Sequence, residues 1–261
     1  MNNAPQVSIG KPSPKPIEFV RVKNEPPSRL ILTVDGLPKE GKTNFALTAP
    51  APICIHNFDF GLSGVVEKFA EKELYQFVYQ IPLTARLPGS GFASLVDPAA
   101  RVWEEYVLQF RESLLQMRTV IVDTGSEAWN LCRLARLGKL TQVLPVQYTA
   151  VNAEFRQLTQ LALCQSKCNV IFTHKLKAEY KNDQKTGAFE RAGFGEIEYD
   201  VETVLKASRD YGKTGLEQFS IEVQSCRANL EASGKRFVGA DCTFQKVAAA
   251  VYPGTTEDSW R

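Results

Sequence analysis

Residues Gly36-Leu37-Pro38-Lys39-Glu40-Gly41-Lys42-Thr43 fit the pattern G-x-x-x-x-G-K-[ST], the spacing of a phosphate-binding P-loop. Glycines at 36 and 41 allow left-handed backbone that turns successive N–H groups inward around an anion. Lys42 is placed to reach the β- and γ-phosphates of a nucleotide, and the Thr43 hydroxyl to ligate Mg²⁺. Asn44 follows where a helix can open and add its positive end. The cofactors this chemistry requires are ATP and Mg²⁺.

A P-loop also needs an acid from a neighbouring strand. Thr119-Val120-Ile121-Val122-Asp123 is a β-branched run ending in a carboxylate, which makes Asp123 the candidate Walker B acid. The competing role is an aspartate capping a helix that starts near Gly125 or Ser126. Thr124 follows Asp123, where many P-loop ATPases carry a glutamate, so the catalytic base must lie elsewhere. Asp59, in Asn57-Phe58-Asp59-Phe60-Gly61, is the candidate to orient an attacking water; it could equally cap a helix beginning near Leu62. Val170-Ile171-Phe172-Thr173-His174 ends another apolar run. Ligands of open α/β sheets sit beyond the carboxyl ends of strands, so Thr173 and His174 are candidate γ-phosphate sensors, with a structural histidine as the alternative.

These residues must be held by a sheet. Leu30 to Asp35 reads as a buried strand ahead of the loop. Further strands are expected at Ile53 to Phe58, Tyr75 to Gln80, Thr119 to Asp123, Asn169 to Thr173, Val201 to Lys206 and Phe219 to Val223. Helices are expected at Leu62 to Lys72, Ala99 to Met117, about 126–137 and 149–166, and a short helix or strand at Thr243 to Val251. Residues 82–98 and 176–195 read as loops, rich in glycine, proline or polar residues. The alternation predicts an α/β fold with a mostly parallel central sheet, helices on both faces and antiparallel C-terminal strands.

The 261 residues, 44% of them hydrophobic, suffice for one substantial core with insertions. No apolar run approaches a membrane span, and Met1 to Pro5 lacks signal-peptide order. Six cysteines at 54, 132, 164, 168, 226 and 242 form no C-x-x-C pair, which predicts reduced, buried thiols in a cytoplasmic protein. Net charge is +2, so any basic surface must be local. The division predicted is a proline-rich, basic tail over 1–28, with Ile17 to Val22 as a candidate edge strand, a core over 29–225 and a packed extension over 226–261.

Taken together, Gly36 to Thr43, Asp59 with Gly61, Thr119 to Asp123 with Ser126 and Trp129, Val170 to Lys175, and Glu198 to Val201 resemble the RecA-like P-loop ATPases. Within them, the chain is similar to the phage-encoded, core-only single-strand annealing proteins. The resemblance covers roughly residues 29–225, with Asp59 departing from the usual glutamate. It implies a homo-oligomer with ATP between subunits and single-stranded DNA held by loops. The first loop would be Gly138 to Gln147. The second would follow Val170 to Lys175, with Lys175, Lys177, Lys181, Lys185 and Arg191 on phosphates and Tyr180, Phe189 and Phe194 between them; the alternative for this stretch is a solvated hairpin. Lys206 and Arg209 would be cations acting in trans on a neighbour's γ-phosphate. The expected function is ATP-dependent single-strand binding or annealing in phage recombination or replication, in the host cytoplasm and alongside other phage replication or recombination proteins. The alternatives are a nucleotide-dependent switch or scaffold with little hydrolysis, and a small-molecule or nucleotide kinase.

Overall fold

Strand β1 (Ile31–Gly36) is buried along its whole length, as an apolar run flanked by parallel strands must be. It lies between β5 (Asn169–Lys181) and β7 (Thr203–Tyr211), parallel to both. On the β5 side, β4 (Thr119–Asp123), β2 (Ile53–Asn57) and β3 (Leu74–Val78) follow, all parallel. Beyond β7, the pairing turns antiparallel through β8 (Glu217–Cys226) and β9 (Arg236–Val238). The order is β3-β2-β4-β5-β1-β7-β8-β9, with β6 (Gln184–Arg191) paired to β5 off this path. This is the expected mostly parallel central sheet with antiparallel C-terminal strands. The computed structural model describes residues 28–82, 96–138, 140, 143–211 and 217–261.

The two faces of the sheet are covered by different helices. On one, α2 (Val96–Gln116), α3 (Gly125–Leu137) and α4 (Tyr148–Gln165) bury Trp103, Tyr106, Phe110, Leu131 and Phe155 against Val120, Val122, Val170 and Phe172. On the other, α1 (Lys42–Ala46) and α6 (Phe244–Val251) pack Phe45, Phe244, Val247 and Val251 against Leu32, Val34, Ile55, Ile121 and Ile171. Adjacent residues such as Ile121 and Val122 go to opposite layers because strand side chains alternate. No helix among the described residues is long and apolar enough to cross a membrane.

α1 is a short turn, and its end is closed from outside. The Lys72 ammonium donates to the carbonyls of Leu47, Thr48 and Ala49 at 2.8, 2.9 and 2.7 Å, filling the orphan acceptors that every helix end leaves. From the C-terminal side, Phe244 N donates to Thr48 Oγ1 at 2.8 Å and Gln245 Nε2 to Thr48 O at 3.0 Å. Trp260, buried on Tyr252 with ring centroids 5.6 Å apart, anchors this segment.

Several expectations need correction. Leu62 to Lys72 is turns plus one 3-10 turn at Val66–Phe69, because Gly64 takes φ +82° and breaks the helical path. Residues 176–195 are not a loop. β5 runs on to Lys181 and returns as β6 through Asn182 and Asp183, both at positive φ, the backbone of a tight hairpin turn. α2 begins at Val96, earlier than expected, and most of the loop read at 82–98 falls at 83–95, outside the described residues, as does Ile17 to Val22. Cys164 is exposed, whereas the other five cysteines are buried.

Two histidines lie fully inside the sheet, His56 and His174. His56 bonds Tyr79 Oη through Nδ1 at 2.8 Å and Ser113 Oγ through Nε2 at 3.2 Å; burial lowers its pKa to about 3. His174 is likewise held well below the ordinary histidine range, first by burial and then by Arg191 and Lys42. Both are neutral when folded and take a proton when unfolded. Their contribution is therefore complete above pH 6.5, the unfolded value, and is lost as pH falls towards the folded values. Stability is expected to drop by about 1.4 kcal/mol per pH unit per histidine in that window. Urea unfolding at pH 7, 6 and 5 measures this, and a flat series would contradict it.

Candidate functional site

The P-loop leaves β1 at Gly36 and re-enters regular structure at Lys42. Gly41 sits at φ +85°, and a Cβ there would come within 2.8 Å of the Phe219 ring on β8. Glycine is thus demanded twice, by backbone and by space. Lys39 also takes a positive φ, 66°. Glu40 ties the turn from inside: its Oε2 accepts from Leu37 N at 2.5 Å. Lys42 Nζ donates to the carbonyls of Gly36 and Leu37 at 2.9 and 2.7 Å. Burial pushes the Lys42 ammonium below its usual range, while Asp123, Glu40 and Asp59 pull it back up.

Asp123 stands where the sequence placed it. Its Oδ2 accepts from Thr43 Oγ1 at 2.9 Å and its Oδ1 from Thr173 Oγ1 at 2.5 Å. The helix-capping role falls instead to Thr124, whose side chain accepts from Glu127 N at 3.2 Å. Burial raises the Asp123 carboxyl, opposed by Thr173, Thr43 and Lys42 and reinforced by Asp59. A hydroxyl and a carboxylate side by side at the head of the loop form a hard, oxygen-only donor set. It fits Mg²⁺, which takes one or two protein oxygens and fills the rest of its shell with phosphate and water.

The remaining candidates separate. Asp59 is exposed, and its Oδ1 accepts from Gly61 N at 3.0 Å in its own turn; it lies near enough to act on both Lys42 and Asp123. Thr173 and His174 face opposite ways. Thr173 steadies Asp123, whereas His174 Nδ1 bonds Thr33 Oγ1 at 2.7 Å, and its Nε2 lies 2.7 Å from where a Cβ on Gly125 would be. Among the second-loop cations, Lys175 pairs with Glu127 at 2.7 Å, Lys177 with Glu190 at 3.1 Å and Lys181 with Glu179 at 3.2 Å. Arg191 is folded inward, its Nε and Nη2 reaching Asp35 Oδ1 and Oδ2 at 2.8 and 2.6 Å. Lys185 is exposed at the hairpin tip. Lys206 is exposed beside Asp35 in register, and Arg209 lies over the Phe219 ring at 4.9 Å while pairing with Glu217 at 2.7 Å. Of the first loop, residues 139, 141 and 142 lie outside the described set; Leu140 O accepts from Arg133 Nη2 at 2.7 Å.

Sequence reasoning missed Asp35 and Phe219, and it placed Glu40 in the loop without its bond to Leu37 N. Asp35 was visible as the acid immediately before Gly36, but its partner came from 156 residues away. Phe219 was read only as the start of a strand.

A family model described as an AAA domain matches residues 29–230. Among solved structures the chain is similar to a KaiC-like protein from the hyperthermophilic archaeon Pyrococcus horikoshii OT3, at 12% identity over 82% of this chain and 85% of that one, TM-score 0.42. It is also similar to the RadB recombinase, at 11% identity over 81% and 86%, TM-score 0.46. No curated protein matches. With its P-loop, its Thr43–Asp123 pair and all but the last strand of its sheet inside the matched span, the chain belongs to the AAA_24 family of AAA domains.

Proposed function

We propose that this protein binds ATP with Mg²⁺ at Gly36 to Asn44 and hydrolyses it in support of single-stranded DNA binding or annealing, in phage recombination or replication inside the host cell. The observation that carries the nucleotide part is the 2.9 Å contact between Thr43 and Asp123, residues 80 apart in sequence. Amides of the loop and the Lys42 ammonium would hold the phosphates, and Thr43 with Asp123 would hold the metal. Bound magnesium would offset phosphate charge. Thr173 keeps Asp123 aimed, and Asp59, open to solvent at the mouth, would orient the attacking water. The DNA part rests on the projecting β5–β6 hairpin with its rings and cations. We further propose a homo-oligomer in which Lys206 and Arg209 reach a neighbour's nucleotide, and a division into a tail over 1–28, a core over 29–225 and an extension over 226–261.

Steady-state ATP turnover with and without single-stranded DNA, alongside light scattering for size, tests this reading. Turnover that rises with DNA is expected. Binding without turnover would favour a nucleotide-dependent switch, a reading supported by Asp59 being engaged with Gly61 and by Thr124, not a glutamate, following Asp123.

A further inference from the structure

The β5–β6 hairpin has two unlike faces. Lys177, Glu179 and Lys181 alternate along one face of β5, with Glu190 directly across from Lys177. There Lys177 pairs with Glu190, and Lys181 with Glu179, so the face neutralises itself. The opposite face carries Leu176, Ala178 and Tyr180, with Phe189 across from Ala178 and Lys185 across from Tyr180. Tyr180 and Phe189 are 58% and 52% exposed, a large apolar area for a projecting two-stranded ribbon to show to water. This second face opens onto a cleft of about 330 Å³ lined by Leu176, Phe189 and Lys206 and also by Asp35, Glu190 and Glu198. Lys185 and Lys206 are both exposed, and among the described residues neither has a carboxylate within 4.0 Å.

We infer that single-stranded nucleic acid is taken by the ring face of the hairpin, with bases stacked on Tyr180 and Phe189 and phosphates met by Lys185 and Lys206. Lys177 and Lys181, on the other side, are bystanders. The inference rests on the DNA reading above and names the surface that performs it. The charge distribution argues for this side: an unpaired ammonium releases counterions when it meets a phosphate, whereas a paired one must first give up its carboxylate. The carboxylates near the cleft are themselves engaged, Glu190 with Lys177, and Asp35 and, at 3.9 Å, Glu198 with Arg191. Flat rings without base-edge readout imply a sequence-tolerant contact.

Two phosphate contacts predict a salt slope for log K of about −1.4, against about −3.5 if all five cations of the hairpin segment bind phosphates. The test is fluorescence anisotropy of labelled oligothymidine with the full chain, a non-hydrolysable ATP analogue and magnesium, across salt. The variant Y180A/F189A is expected to lose about ten-fold or more in affinity, while K177Q/K181Q stays within about two-fold. Both alter exposed residues, and unchanged thermal unfolding confirms that the fold persists. A loss confined to K177Q/K181Q, or equal in both variants, overturns the face assignment and leaves the DNA reading standing. Absence of any binding by the unaltered chain overturns the DNA reading and this inference with it. If Y180A/F189A keeps its DNA affinity but falls to a smaller species in light scattering, the ring face contacts a second copy of the chain, and the inference is wrong.

Discussion

Replacing Lys42 with alanine is expected to remove ATP binding, by a factor of about 100 or more. The ammonium donates to Gly36 O and Leu37 O, carbonyls that a nucleotide's phosphate oxygens would replace as partners. Each charge-assisted hydrogen bond to phosphate contributes about 1.5–3 kcal/mol, and two of them account for a loss on the scale of about 100-fold or beyond. Burial makes the contact stronger, because few waters remain to compete, and the carboxylates of Asp123, Glu40 and Asp59 keep the group charged against that burial. Isothermal titration with ATP, magnesium present, gives the answer directly. Retained affinity in K42A would remove the nucleotide site from this loop altogether.

The second large effect concerns Arg191, and it falls on stability. Its guanidinium grips the Asp35 carboxylate at two points, and the side chains are only 8% and 12% exposed. Removing one partner of such a pair leaves the other as an uncompensated charge, a loss of about 3–5 kcal/mol. R191A should therefore unfold at markedly lower urea, R191K should fall between because lysine lacks the planar fork, and adding Asp35→Asn to R191A should recover part of the loss. Were R191A to keep its stability and lose only DNA affinity, the arginine would be a phosphate contact, as its place in the sequence first suggested.

The nucleotide site was largely legible in the sequence because it is written in short local patterns. A loop of fixed spacing and a strand ending in an acid each announce themselves, and the parallel order brings Thr43 to Asp123 without further information. The hairpin was legible only as the alternative to a DNA-binding loop. Its strands are polar on one face and interrupted by a bulge near Gly187, so no clean two-residue period survives. The pair Asn182-Asp183 was the available signal, since both residues tolerate left-handed backbone. Arg191 was misjudged for a different reason: whether a cation meets solvent or a carboxylate depends on what the fold brings beside it, and Arg191 at the end of β6 meets Asp35 on β1 only in three dimensions. The helix expected at Leu62 to Lys72 failed on one residue, Gly64, whose conformation no periodicity records.

The Phe219 ring pressed on Gly41 has a bearing on how this chain can vary. A position in the amino-terminal third and one near the carboxyl end form a single steric unit, so neither can drift alone: a bulkier group at 41 is barred, and a smaller one at 219 would leave the loop without its backing. Descendants of this sequence should therefore change the two places together or keep both.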